Sequence, residues 1–364
     1  MCCRRSESHT YEREIRHWDI YIYLGHSLGY FTRTYKKTIQ KQEITVGKTV
    51  FMFPGQGSQY IGMAKDFYDA YPESKEVFEK ASAAAGFSVE QLCFEENEKI
   101  NITEYTQICM LAAEAAVYAA VRKEGINCDA CAGLSLGEYG AIIASGAMTM
   151  EDAFKVVRQR GKFMQEAVPR GGAMAAILNL DPAVVAEVCE EVQTAGPEDG
   201  AGDYSLPYVV SVANYNSPVQ IVITGREDAV KKASDICVER GARRAVPLKV
   251  SGPFHSALLK GAGEKLGEVL ENVTIGDIKI PYLANVNADY VTDPSQVKQL
   301  LTAQVSSSVR WQQTLEKLLA DGADLFIEIG PGTTLSGFVK KLNKDVKTVS
   351  IDKLEDLKAY LETV

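Results

Sequence analysis

The stretch Cys128-Asp129-Ala130-Cys131-Ala132-Gly133-Leu134-Ser135-Leu136-Gly137-Glu138-Tyr139-Gly140 decides how this chain is read. Its first part is a short apolar run that predicts a buried strand over 128–132. Gly133-Leu134-Ser135-Leu136-Gly137 then matches Gly-x-Ser-x-Gly, and small residues follow through Ala147. A strand, a tight turn and a helix form the setting in which such a serine is an exposed nucleophile. The glycines serve the tight turn and the strained backbone at its centre. Ser135 is therefore the expected nucleophile. A second match, Gly25-His26-Ser27-Leu28-Gly29, runs into Tyr30-Phe31-Thr32-Arg33, which is no helix start, and is read as coincidence.

Cys128 and Cys131 form a CxxC. Residues three apart on a strand face opposite sides, and no second Cys/His pair stands at ligand spacing. Both thiols are therefore expected to be structural. The eight cysteines are irregularly spaced in a long chain, which argues against a disulfide framework and for a reducing compartment.

Working outward, Lys48–Phe53 predicts a buried strand ending in Pro54-Gly55-Gln56-Gly57. Residues 105–124 predict a helix with Leu111, Ala115, Tyr118 and Ala119 on one face, and 150–168 another. Strand and helix signals then alternate differently. Strand 172–178, a helix from Asp181-Pro182, strands near 208–213 and 219–224, helix 226–241 and strand 244–248 give βαββαβ, the order of a ferredoxin-like unit. Asn214-Tyr215-Asn216-Ser217-Pro218 is expected to be the loop joining the two middle strands. The α/β pattern resumes at His255; strand 325–329 meets Gly330-Pro331-Gly332 and helix 333–342. These readings give an α/β chain with a catalytic domain over 48–170 and 248–364, interrupted by a small domain over 171–247.

The chain has 364 residues, 39 Lys+Arg and 48 Asp+Glu, a net charge of −9. That balance disfavours non-specific nucleic-acid binding. Residues 1–47 depart from it, with eight basic and five acidic residues and three of the four histidines. They read as an appended extension or a misassigned start. No segment is apolar enough to span a bilayer and no secretory signal is apparent. The expected location is the cytoplasm, with no membrane partner.

A serine nucleophile needs a base. Residues 48–364 hold one histidine, His255, after Gly252-Pro253-Phe254. An oxyanion needs backbone donors. The amide after the nucleophile, that of Leu136, is one. The Gly55-Gln56-Gly57 loop is placed to give a second, or is a plain glycine-rich turn. Phosphate-loop, dinucleotide and metal-ligand patterns are missing, so no cofactor and no metal are expected.

Phe53-Pro54-Gly55-Gln56-Gly57-Ser58-Gln59, Gly133–Tyr139, Arg158-Gln159-Arg160-Gly161, Gly252–His255, Gln304 before Val309-Arg310-Trp311, and Glu328-Ile329-Gly330-Pro331-Gly332 occur in one order. This ordered set closely resembles the malonyl-CoA:acyl-carrier-protein transacylases of type II fatty acid synthesis, over about residues 48–364. The resemblance implies an α/β-hydrolase-like large domain with an inserted ferredoxin-like small domain. It implies Ser135 as acylated nucleophile, His255 as base, and the Gln56 and Leu136 amides as oxyanion hole. Arg160 would pair with the malonyl carboxylate, and the Gln304 carbonyl would orient His255. Asn214 and Asn216 match a segment facing the cleft. The implied partners are malonyl-CoA and holo acyl carrier protein, with Arg243, Arg244 and Lys249 or Lys340, Lys341, Lys344 and Lys347 as candidate docking cations. A monomer is expected. A trans-acting acyltransferase of a polyketide synthase would share every catalytic residue.

Overall fold

A computed structural model describes residues 47–197, 205–250 and 252–364. Residues 1–46 of the extension, with the Gly25–Gly29 motif, residues 198–204 and Ser251 lie outside the described residues.

Among the described residues, ten strands form two sheets. The first has the order β10-β9-β1-β2-β7-β8, built from β1 (Lys48–Phe53), β2 (Ala130–Gly133), β7 (Tyr282–Leu283), β8 (Tyr290–Val291), β9 (Ala323–Ile329) and β10 (Lys347–Ile351). All its pairings are parallel except β7 with β8. β1 lies near the middle of this sheet. Its Phe51 and Phe53 enter one apolar cluster and its Val50 and Met52 the other, so residues 50–53 are hydrophobic at every position.

The second sheet is antiparallel, in the order β4-β5-β3-β6. It comprises β3 (Gly172–Leu178), β4 (Val210–Ser217), β5 (Gln220–Arg226) and β6 (Arg244–Pro247). Helices Pro182–Ala195 and Glu227–Glu239 cover it over Ile177, Val188, Ile221, Ile223 and Ala233. The first of these helices starts as its sequence suggests, with Pro182 in the first turn and the Asp181 carboxylate accepting from the Ala183 N–H at 2.8 Å.

Three expectations are corrected. β4 continues through Asn214, Tyr215 and Asn216, so these residues form strand rather than loop. Pairing with β5, with two register shifts, outweighs their turn preference. The helix Thr103–Lys123 is buried on nearly all sides, whereas Tyr118 and Ala119 of the predicted face are only half-buried. β2 begins at Ala130, after a bend at Asp129. The Asp129 N–H donates to the Thr49 carbonyl and its carboxylate accepts from the Thr49 N–H, both at 2.8 Å. Because Cys128 precedes the strand, alternation does not separate it from Cys131, and the two sulfurs lie 3.5 Å apart.

Along β4 the antiparallel sheet is bonded to the segment Ser308–Val309. Tyr215 N–H donates to the Val309 carbonyl at 2.9 Å, Val309 N–H to Ala213 at 2.8 Å, and Ser308 Oγ to Val212 at 2.6 Å. No helix among the described residues is long and apolar enough to cross a membrane.

Candidate active site

Ser135 sits where β2 ends and helix Gly137–Ser145 begins, with φ = 54°. A side chain in that left-handed region is strained. The local sequence makes the turn possible through two close approaches. A Cβ on Gly133 would run into the Gly137 carbonyl, and one on Gly137 into the Phe53 carbonyl. Gly55 abuts the Leu134 backbone in the same way, which brings the Gly55–Gly57 loop against the turn.

Ser135 Oγ lies 2.7 Å from His255 Nε2. His255 Nδ1 lies 2.9 Å from the Gln304 carbonyl. A carbonyl only accepts, so Nδ1 carries the proton and Nε2 is left to accept from the serine hydroxyl. His255 also has a positive φ, 59°. The ring is buried, 4% exposed. Burial, then the charge of Arg160, lowers its pKa to about 4, partly opposed by the Gln304 and Ser307 backbone.

Arg160, on helix Met150–Ala167, is 1% exposed. It donates to Gln107 Oε1 at 2.7 Å, to Gln304 Oε1 at 3.0 Å and to Ser135 Oγ at 3.2 Å. Burial pulls its pKa down from the usual guanidinium value. A fixed cation beside a serine hydroxyl is equipped to meet a carboxylate.

Below the serine lies a polar network that sequence reasoning missed. Asn285 accepts from the Ser135 N–H at 2.6 Å and donates to the Gly133 carbonyl at 2.7 Å, tying down both sides of the turn. The buried Glu138 carboxylate accepts from the Asn285 N–H at 3.1 Å and from Gln304 Nε2 at 2.6 Å. Its burial raises the pKa to about 7, against the Gln304, Asn285 and Arg160 interactions that lower it. A glutamate amid small apolar helix residues was the one available signal. Asn285 and Gln107 offered none.

A cavity of about 150 Å³ opens at Ser135. Gln56, Leu136, Arg160 and His255 line it, and so do Asn214 and Asn216 from β4. Met164, Met174, Val222 and Phe254 supply apolar wall. The Gln56 side chain is held to Thr103 Oγ1 at 3.0 Å. Among the described residues no cluster of His, Cys, Asp and Glu is arranged to hold a metal. Of the candidate docking cations, Lys340 is half-buried and engages the carbonyls of Lys344 and Val346, whereas Arg243 and Lys341 flank an apolar groove containing Phe338 and Val219.

A half-buried serine at a strand–turn–helix, hydrogen-bonded to a buried histidine and faced by an arginine, is an arrangement suited to acyl transfer. Residues 50–354 match the acyl transferase domain family. The chain is 43% identical over 321 residues to the malonyl CoA-acyl carrier protein transacylase of Bacillus subtilis, covering 88% of this chain and 98% of that one. It superimposes on the crystal structure of malonyl CoA-acyl carrier protein transacylase from Clostridium perfringens with a TM-score of 0.81 at 42% identity, over 87% and 96% of the two chains. A malonyl-transacylase solved in complex with its type II PKS acyl-carrier protein gives 0.81 at 36% identity, over 87% and 100%. The chain belongs to the acyl transferase family, among the malonyl CoA-acyl carrier protein transacylases. It is an acyltransferase.

Proposed function

We propose that the protein moves the malonyl group from malonyl-CoA to the phosphopantetheine thiol of acyl carrier protein, supplying fatty acid elongation. Ser135 Oγ attacks the thioester as its proton passes to His255 Nε2. The Gln56 and Leu136 amides hold the oxyanion, and His255 returns the proton to the departing thiol of coenzyme A. The carrier thiol then attacks the malonyl-serine ester in the reverse sense, and Ser135 recovers its proton. The Gln304 carbonyl keeps His255 in the tautomer that both half-reactions need.

The observation that carries this reading is Arg160, buried and 3.2 Å from Ser135 Oγ. A carboxylate on the acyl group would take up that guanidinium through two parallel hydrogen bonds, and an uncharged acyl group would leave a buried cation facing apolar wall.

In this reading the parallel sheet and its helices are an α/β-hydrolase-like catalytic domain, 48–170 and 248–364. The antiparallel sheet is a ferredoxin-like insert, 171–247, that roofs the cavity with Asn214 and Asn216. The carrier approaches the groove flanked by Arg243 and Lys341. The enzyme works as a cytoplasmic monomer.

Intact mass after mixing with malonyl-CoA tests the reading, with Ser135→Ala as control. The expected result is a malonyl adduct on the wild type alone, discharged by holo acyl carrier protein. Discharge by water at the same rate would make the protein a hydrolase. An adduct with another acyl-CoA but not with malonyl-CoA would overturn the role given to Arg160.

A further inference from the structure

Cys128 and Cys131 have no part in that chemistry. Their sulfurs nevertheless lie 3.5 Å apart at the start of the strand leading to Ser135. We propose that they are a dithiol modification site, which a low-molecular-weight disulfide of the glutathione class closes to an intramolecular disulfide.

Three observations carry this. The first is proximity: a disulfide is about 2.0 Å long, so closure requires an approach of roughly 1.5 Å. The second is the division of exposure. Cys131 is fully buried, between Phe51 of β1 and Tyr282 of β7 in the sheet, and cannot meet a bulky oxidant. Cys128 is half-buried between the exposed Asn127 and Asp129 and lies outside the strand pairing, so it can meet the oxidant and move. The third is the difference between the two thiols: the contact with Cys128 and burial push the Cys131 thiol well up, so Cys131 keeps its proton and the more exposed Cys128 meets the oxidant first.

The Cys128 thiolate attacks one sulfur of the oxidant, whose S–S bond breaks, and one small thiolate leaves. Cys131 then loses its proton and attacks the Cys128 sulfur, breaking the mixed disulfide and releasing the second small thiolate. Two protein thiols are oxidised, one disulfide is reduced to two thiols, and the two protons go to the leaving thiolates.

The test treats the full-length, folded protein with oxidised glutathione, alkylates the remaining thiols, and maps the tryptic peptide Glu124–Lys155, which holds these two cysteines and no others. The expected wild-type peptide is lighter by two hydrogen atoms and takes up no alkylating reagent until reduced. Cys131→Ser should trap a glutathione adduct on Cys128. Cys128→Ser should leave Cys131 unmodified. A wild-type peptide in which both cysteines remain open to alkylation after unfolding, with modification confined to other cysteines, would overturn the proposal. So would a Cys131→Ser protein that carries no adduct at Cys128.

Discussion

Glu138 and Gln304 are joined by a 2.6 Å hydrogen bond, Gln304 Nε2 donating to Glu138 Oε2, and the carbonyl of the same Gln304 lies 2.9 Å from His255 Nδ1. A buried carboxyl thus reaches the histidine through one glutamine and touches it nowhere. Glu138 is a positioning residue. Its carboxyl, with a pKa of about 7, changes charge near neutrality beneath the site. In Glu138→Gln the amide oxygen can keep both the Gln304 and Asn285 donors, which already share Glu138 Oε2, but the new NH₂ falls where Glu138 Oε1 has no partner. A buried donor left without an acceptor costs roughly 1–3 kcal/mol. The expected kcat is at least about tenfold lower with KM little changed, and any step in the wild-type pH profile near 7 disappears. Retention of that step in the variant would show that another group titrates there.

His255 sets the acid limb. Its pKa, lowered to about 4, leaves the imidazole neutral and basic well below the ordinary histidine range. In Glu138→Gln, where the group near 7 is gone, kcat/KM for malonyl-CoA should therefore hold level from pH 8 down to about 5.5 and fall only toward pH 4. A limb centred at 6.5 would contradict the buried geometry.

Stability links the same two groups with opposite signs. Between the unfolded and folded His255 values, 6.5 and about 4, the unfolded chain binds the extra proton, so stability is lost as pH falls. Between 4.5 and about 7 for Glu138 the folded protein holds the extra proton, so stability is lost as pH rises. Each window amounts to about 3 kcal/mol, and over their overlap they offset. Denaturant unfolding of wild type and Glu138→Gln across pH 4.5–7 should show the variant gaining relative to wild type as pH rises. A constant difference would place the Glu138 pKa in the ordinary carboxyl range.

Arg160→Ala removes the cation facing Ser135. Loss of a two-point pair with a carboxylate should lower malonyl-CoA kcat/KM by about 100-fold and acetyl-CoA kcat/KM by much less. Competition between the two thioesters, read by adduct mass, measures the change. An unchanged malonyl-to-acetyl ratio would detach Arg160 from substrate choice.

The nucleophile's backbone can be tested without chemistry. At φ = 54°, Ser135→Ala keeps the strain and Ser135→Gly releases it. The glycine variant should be the more stable by roughly 0.5–1 kcal/mol, the strain relieved less the chain entropy lost. The opposite order would show that the turn relieves the strain elsewhere.

Much of this was legible because it is local. The glycines around Ser135 announce a turn that larger residues would block, and His255 stands alone after residue 47. The run of strands and helices over 172–247 shows in hydrophobic spacing. What escaped the sequence is non-local. Asn285 reaches the Ser135 amide across 150 positions, and Glu138 meets Gln304 across 166. The bend at Asp129 depends on Thr49 from another strand, so alternation misplaced Cys128. The Asn214–Asn216 segment has turn composition, and only pairing with β5 and Val309 extends it.

The seam between β4 and Ser308–Val309 lies close in sequence to the carbonyl that holds His255. Only four residues separate Gln304 from Val309, whose main chain is bonded to β4 on both sides. The segment is thus at once an axle for the antiparallel layer and the bearing of the imidazole. A shift of that layer would be carried to the Gln304 carbonyl, and so to the imidazole, through five peptide links.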